Sequence, residues 1–508
     1  MASKSKIQEK QDARAIKTYR EIIDGRSKVA FYEKPAAPAQ RNRVGGAGDQ
    51  EGLAGEYARL LRIMMPGMLA ELSGLSDPRD KNKTTHSLPT LILYGILMFL
   101  SQTESRRAAN REMGGSKLAG LMEELAPGYV SMPHADTLGR LLEGLDDAEK
   151  LEERYSAVLS GFVKSEAFRR INPGRFLVAA DGSGKFSRRY CWDSRALSRN
   201  AGDPDKELYF MYVMESVLIL DNGMVLPLLT ETLENGGALD DAGKQDCETK
   251  AFKRLSGRLA KLLGKGCVTI ILDGLYASGP ILSICENYGW EYMITLKKDS
   301  LASVWDDFNG LKKIEHENTL YAQYGGRGQE YRWSNGIEYE YGGNHRRLRL
   351  NLVTCAETWR DERPRKGGGP RMEKTEYAWL SSVKLSSKNV FDLCLKARRR
   401  WRIENHFHVA KNDGYGFEHC FSYNWNAMKG FHSLMKFANM INVIILHSQY
   451  MLGYVASEGK KGAIKKAWRY LFVVYIAAEP VESIVSEKKL RQHRKRNRYS
   501  EIKLCTAG

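Results

Sequence analysis

The 508-residue chain has no apolar run long enough to cross a bilayer. Its longest, Leu88 to Leu100, is interrupted by Pro89, Thr90 and Gly95, and falls short of the roughly 20 residues a spanning helix needs. It reads as a core helix. The opening Met1-Ala-Ser-Lys-Ser-Lys-Ile-Gln8 is charged and lacks the apolar centre of a signal peptide, so a cytoplasmic protein is expected, with no membrane partner. The eight cysteines (191, 247, 267, 285, 355, 394, 420 and 505) show no paired spacing, which excludes a disulfide framework and points to reduced thiols. No internal repeat is visible, and no Ser or Tyr motif demands a covalent intermediate. Acidic residues are in deficit: 61 Asp and Glu face 78 Lys and Arg, a formal charge of +17. Such an excess calls for an anionic partner, nucleic acid first. A ribosomal-type or membrane-surface protein would also be basic, but this length with buried strands is large for either.

What is present falls into segments. Residues 1–50 form a polar, charged arm ending in Arg41-Asn-Arg-Val-Gly-Gly-Ala-Gly48, with a short helix expected around 6–23. Over 51–168 apolar residues recur at helical spacing, as in Tyr57-Ala-Arg-Leu-Leu-Arg-Ile-Met-Met65, and an all-helical domain is expected, a candidate DNA binder. Ser131-Met-Pro-His-Ala-Asp-Thr-Leu138 suits a turn before a helix carrying Arg140, either a helix-turn-helix reader or an ordinary packed pair. From 169 the pattern turns to strands: 176–180, 209–220 and 224–230, the last two joined by the hairpin turn Asp221-Asn-Gly223. A helix over 240–263, a strand at 268–272, a helix at 279–288 and a strand at 290–296 follow. This order fits an α/β ribonuclease-H-like core, 169–298 and 383–452, although periodicity alone admits other mixed α/β folds. Residues 299–382, rich in Tyr, charge and Gly pairs, read as a β-rich insertion that includes the basic loop Arg363-Pro-Arg-Lys-Gly-Gly-Gly-Pro370. Helices resume from 388 to 450. The tail, 453–508, carries the basic cluster Lys488–Arg498, a solvated tail or a contact for the DNA backbone.

Three acidic residues far apart in sequence carry the chemistry. Asp181 ends the apolar run Phe176–Ala180, Asp273 ends Val268–Leu272, and Glu404 lies in the basic helical segment Lys396–Lys411. Two strand-end carboxylates and one on a later helix make a site for two divalent cations, the arrangement that serves both oxygens in phosphoryl transfer. Each Asp alone could be a turn or cap residue. Together, three carboxylates would repel one another unless cations neutralised them. Arg400, Glu404, His408 and Lys411 share one helical face. That face suits a metal-binding carboxylate among phosphate-holding cations, or a solvated helix of charge pairs. His406, His408, His419 and Cys420 could be drawn as a zinc site, but the two histidines of His-Phe-His point to different sides of a helix. Glu215, Asp246 and Glu248 are extra acids near the core, with Glu248 read as a surface or supporting residue.

On Val178-Ala-Ala-Asp-Gly-Ser183, Ile271-Leu-Asp-Gly-Leu-Tyr-Ala277, Lys244–Arg254 and Arg400-Trp-Arg-Ile-Glu-Asn-His-Phe-His-Val-Ala-Lys411, residues 130–450 resemble the DDE insertion-sequence transposases of the group with a Tyr–Arg–Glu–Lys signature. Arg400, Glu404 and Lys411 fall on the signature, whereas Ala397 stands where its Tyr belongs. The resemblance implies that Asp181, Asp273 and Glu404 are catalytic and hold two Mg²⁺ ions, with Mn²⁺ able to substitute. It implies that Arg400 and Lys411 clamp phosphates, with Arg399 and Arg402 beside them, and that Trp333 or another aromatic of the insertion stacks on a displaced base. It also implies a homodimer on double-stranded DNA, both element ends and target, in the nucleoid of a bacterial cytoplasm. A purely hydrolytic metal-dependent nuclease of the same fold, and a non-catalytic DNA-binding derivative, are the alternatives.

Overall fold

The computed structural model describes residues 29–31 and 50–451, apart from 114–118, 127, 146–148, 201, 204–205, 237–244, 362–370 and 450, together with 455–456, 464, 467, 499 and 502–505. The expected helix at 6–23, the basic loop at 363–370 and the basic cluster at 488–498 lie outside the described residues.

A helical N-terminal region comes first: α1 (Gln50–Leu72), α2 (Leu88–Leu100), α3 (Arg106–Met113), α4 (Ala119–Leu125), α5 (Ala135–Gly144), α6 (Glu149–Val163) and α7 (Glu166–Ile171). Helix α2 is the long apolar run. Ser87 caps it through the Thr90 N–H, Pro89 sits in its first turn where no donor is lost, and every residue but Pro89 is buried. A helix apolar all round must be covered on all sides. Among the described residues no helix is long and apolar enough to cross a membrane.

A mixed α/β sheet domain follows, as expected of a ribonuclease-H-like core. Its elements are β2 (Phe176–Arg188), β3 (Leu197–Arg199), β4 (Leu208–Ile219), β5 (Val225–Leu233), α8 (Glu248–Leu263), β6 (Val268–Leu272), α9 (Gly279–Asn287) and β7 (Glu291–Thr295). Then come α10 (Ala302–Leu311), β8 (Thr319–Tyr324), β9 (Arg327–Tyr341), β10 (Arg346–Asp361), β11 (Arg371–Ser381), α11 (Val390–Arg398), α12 (Trp401–Asn412) and α13 (Trp425–Leu446). Counting the short β1 (Val29–Phe31), eleven strands form one sheet in the order β1-β8-β9-β10-β11-β7-β6-β2-β4-β3, with β5 on β4. Strands β2, β6 and β7 run parallel, and their near-continuous apolar character reflects helices on both faces. Gly223 takes φ +82° in the β4–β5 turn, as the Asn-Gly pair requires.

Four expectations change. Strand β2 does not stop before Asp181 but runs on to Arg188, because β4 continues to pair with it past Gly182 and Gly184. Asp181 is therefore mid-strand. Helix α8 begins at Glu248 rather than 240, its expected first turns lying partly outside the described residues. The insertion opens with a helix, α10, and its strands are no separate layer: β11 pairs with β7 through Trp379–Ser381, extending the core sheet. The final helical stretch is three helices, with a break between Arg398 and Trp401.

Helix α13 ties the two regions together. Nearly all its residues are buried, and it packs against α2, α5 and α6 on one side and β5 on the other. Tyr57 of α1 donates to Asn442 Oδ1 at 2.6 Å, and Lys436 pairs with Glu152 of α6.

Candidate active site

The parallel ladder between β2 and β6 ends with Ala179 opposite Ile271. Two residues further along each chain are Asp181 and Asp273, so the register itself sets these carboxylates side by side, about 5 Å apart in backbone terms. Asp273 leaves the buried strand β6 and caps the short turn Gly274–Tyr276, its Oδ1 accepting from the Leu275 N–H at 2.6 Å. Asp181 Oδ1 accepts from the Gly182 N–H at 2.9 Å.

Glu404 reaches the same place from α12, which lies against β2, β4 and β5. One turn before it, Arg400 donates to Glu404 Oε1 at 2.8 Å and to Asp181 Oδ2 at 3.5 Å. A guanidinium thus stands between the first and third acids of the expected triad. Its other contact is the ring of Trp401, 5.0 Å away, which is 58% exposed although large and apolar.

Glu248, the first residue of α8, joins this group. Its carboxylate accepts from Tyr212 at 2.8 Å and from Tyr276 at 2.6 Å. Burial, and then the negative charge of Glu248, push both phenols up, so they stay protonated and donate. The carboxyl carbon of Glu248 presses so closely on Gly182 that an added Cβ there would lie 2.7 Å from it, and 2.5 Å from the Tyr212 ring. Only glycine fits beside Asp181. The consequence shows on Asp181: burial, with Asp273 and Glu248 adding to it, pushes its carboxyl up to about 6 against the pull of the Gly182 N–H and Arg400.

A second acid lies across the ladder. Glu215 of β4 pairs directly with Asp181 in register and is buried. Its oxygens meet His406 Nε2 at 2.9 Å and His432 Nε2 at 3.0 Å. Lys185 of β2, also buried, donates to His432 Nδ1 at 3.0 Å. Burial opposes the ionised form of Glu215, but the two histidines hold it well below the ordinary carboxylate range. Burial and the Lys185 charge push His432 down to about 4, leaving a neutral ring that accepts from Lys185 and donates to Glu215.

The structure brings Asp181, Asp273, Arg400 and Glu404 to one place. Lys411 stays on α12 but pairs with Glu418 at 2.8 Å. Arg399 pairs with Asp221, and Arg402 lies over Gly223 of the same hairpin turn, away from Asp181. Trp333 belongs to β9 and is 4% exposed, so its ring offers no face to a displaced base; alternation along a strand paired on both edges buries it. Ala397 is buried in α11. The zinc reading fails on geometry: His406 is buried on Glu215 while His408 and His419 are exposed.

The donor set fits a hard divalent cation, since it is all carboxylate oxygen and the burial of Asp181 beside Asp273 and Glu248 is only partly offset by the Gly182 N–H and Arg400. Among the described residues no three His, Cys, Asp or Glu side chains stand close enough together to hold an ion. The opening that a cation needs between Asp181 and Glu404 is taken by Arg400.

Tyr212, Tyr276 and Trp401 were not expected at the site; Glu248 was, only as a surface or supporting residue, and its bonds to Tyr212 and Tyr276 favour the supporting alternative. Glu248 lay inside the segment Lys244–Arg254 that carried the family resemblance, and an acid one residue into a helix was its only local signal.

Residues 69–157 match the family described as DDE_Tnp_1-associated, and residues 246–468 match the family described as Transposase DDE domain. Asp181 lies between the two matched stretches, and Asp273 and Glu404 fall in the second. No curated protein matches the chain. With both family regions in order along one chain, and the helical region packed onto the α/β domain through α13, the protein belongs to the DDE-type transposases.

Proposed function

We propose that this transposase cuts DNA at the ends of its own element and joins the freed 3′-ends to target DNA, with Asp181, Asp273 and Glu404 as its catalytic acids. The observation that carries the reading is the register that sets Asp181 beside Asp273, with Arg400 linking Asp181 to Glu404. Mg²⁺, or Mn²⁺ in its place, held by these carboxylates would activate the attacking oxygen and stabilise the leaving one. Glu248 fixes the Asp181 segment through Gly182, and Tyr212 and Tyr276 fix Glu248. Arg400 has a rigid two-pronged donor face and can leave the carboxylates for a phosphate when their charge is met otherwise. Trp401, exposed at the mouth of the site, takes the stacking role that buried Trp333 cannot fill.

In cleavage, a water oxygen attacks phosphorus, the phosphorus–O3′ bond breaks and a 3′-hydroxyl is released. In joining, that hydroxyl oxygen attacks a target phosphate and a target 3′-oxygen leaves. Two ends require two active sites, so the working form is a homodimer on DNA. Lys411 contributes to phosphate binding once freed from Glu418.

The test is cleavage of a labelled duplex carrying the DNA that flanks this gene, with Mg²⁺ and with EDTA. Metal-dependent nicking at a fixed position, lost in Glu404→Gln, is expected. Unspecific degradation would make the protein a nuclease, and binding without cleavage a non-catalytic derivative.

A further inference from the structure

Among the described residues few large apolar side chains are exposed, and two of them touch. Tyr190, just past the end of β2, is 54% exposed, and Tyr423, between α12 and α13, is 45% exposed. Their ring centroids are 6.4 Å apart. Arg188 lies against them: its Nε donates to Tyr423 Oη at 2.9 Å, and its guanidinium sits 5.6 Å from the Tyr423 ring and 5.4 Å from Phe186. Arg189, beside it, is exposed.

Carboxylates do not neutralise this corner. Neither Arg188 nor Arg189 has an acidic partner among the described residues. The nearby acids are engaged elsewhere: Glu207 with Tyr209 at 3.0 Å, Asp193 with Arg195 at 2.8 Å, Glu143 with Ser422 at 3.2 Å and Asp136 with Arg106 at 3.3 Å. Arg106 lies close enough to act with Arg188 on His419, whose ring, although the residue reaches the surface, is pushed down by partial burial and then by both arginines. The corner thus joins the end of β2, the α12–α13 connection and the helical region.

Its distance from the chemistry follows from the strand. Asp181 and Arg188 share β2, so the corner lies roughly 20 Å from the catalytic acid. Along a duplex, that distance is about six base pairs.

We propose that Arg188, Arg189, Tyr190 and Tyr423 form a second contact for double-stranded DNA, gripping the phosphodiester backbone about six base pairs from the scissile phosphate. The inference rests on the transposase reading. Guanidinium forks and phenol hydroxyls donate to phosphate oxygens, and the tyrosine rings cover the sugar edge. The contact positions DNA and reads no sequence.

The test measures binding of the full chain by fluorescence anisotropy against salt. Two flanking-DNA duplexes are used, one reaching ten base pairs past the cleavage point and one ending after three. Arg188→Ala/Arg189→Ala is expected to weaken binding to the long duplex at least tenfold. It should also lower the salt slope by about 2, each lost phosphate contact counting for about 0.9. On the short duplex the variant and wild type should bind alike. Equal binding of both proteins to the long duplex overturns the second contact while leaving the transposase reading intact. A wild type that binds neither duplex overturns both. Should the variant unfold, wild-type protein is probed instead by phosphate-ethylation interference on the long duplex. Interference six base pairs from the cut supports the contact. Its absence there, with interference at the cut itself, removes it, as does loss of self-association in a Tyr190→Ala/Tyr423→Ala variant with unchanged DNA binding.

Discussion

Asp181 and Glu215 face each other across one rung of the β2–β4 ladder, yet their surroundings are opposites. Glu215 is buried, and its oxygens are met by His406 and His432, with Lys185 behind His432. Its charge is fully answered by side chains that the fold supplies. Asp181 has one backbone N–H and a guanidinium at 3.5 Å, against two further acids. Its charge is left for something else to answer. The first carboxylate holds α12 and α13 onto the sheet, and the second is kept in an unfavourable state at the point where chemistry is expected. Two residues of one kind, a strand apart, thus separate structure from function.

The sharpest way to break this comparison is to remove each acid. Asp181→Asn should abolish cleavage while leaving the protein folded and bound to DNA, read by nicking and anisotropy together. Glu215→Gln should cost about 3–5 kcal/mol, because it leaves buried His406, His432 and Lys185 without their carboxylate. Urea unfolding reads that loss. A folded, stable Glu215→Gln protein would remove the structural role.

The two acids should also respond to pH in opposite directions. The folded state holds the Asp181 proton more tightly than the unfolded chain does. Stability therefore falls as pH rises from about 4 to about 6, and the full penalty of about 3 kcal/mol remains above that. In EDTA, Asp181→Asn should recover that amount at pH 8 and nothing at pH 4. Glu215 is depressed, so its contribution is present above the ordinary carboxylate range and is lost only as pH falls through its lower folded value. A variant no more stable than wild type at pH 8 would show that Asp181 is not strained by its neighbours.

Arg400→Ala sharpens the comparison less severely. Without the guanidinium, Asp181 should move higher still, so the apparent pH at which the metal-free protein loses stability shifts upward. DNA affinity should weaken, with a salt slope lower by about 1. An unchanged slope would take Arg400 out of the phosphate contacts. The smallest effect concerns the two tryptophans. Trp401→Ala should cost about 1–3 kcal/mol of binding to DNA with an unpaired base at the cut, the usual worth of one stacked base. Trp333→Phe should leave that binding alone and lower stability instead. The reverse pattern would restore Trp333 as the stacking residue.

How much of this was readable in sequence depended on how local its cause was. Helix α2, the hairpin turn at Asp221–Gly223 and the buried strand β6 announce themselves through apolar runs and turn residues. So does Asp273, because the strand before it ends there. Asp181 looked like a strand end because Gly, Ser and Gly follow it, but pairing with β4 carries β2 to Arg188, and pairing is a tertiary fact. The same holds for Glu248: nothing in Cys247-Glu-Thr249 tells that two tyrosines from other elements will seize the carboxylate. Trp333 lost its expected exposure because burial of a strand residue depends on neighbours far along the chain, and Trp401, for which nothing was expected, is exposed because it opens a helix after an unforeseen break. Arg399 and Arg402 were grouped with Arg400 by sequence proximity, and that break turns them toward the hairpin instead.

The most direct test of the contrast between the two acids is a titration of the full chain with Mn²⁺, followed by calorimetry and thermal unfolding, in wild type and in Asp181→Asn. Wild type should bind the ion, gain stability and release protons at pH 6, as a half-protonated Asp181 gives up its proton, and the variant should do none of these. Equal binding and equal stabilisation in both proteins would contradict the account, because the uncompensated charge at Asp181 would then not be what draws the cation.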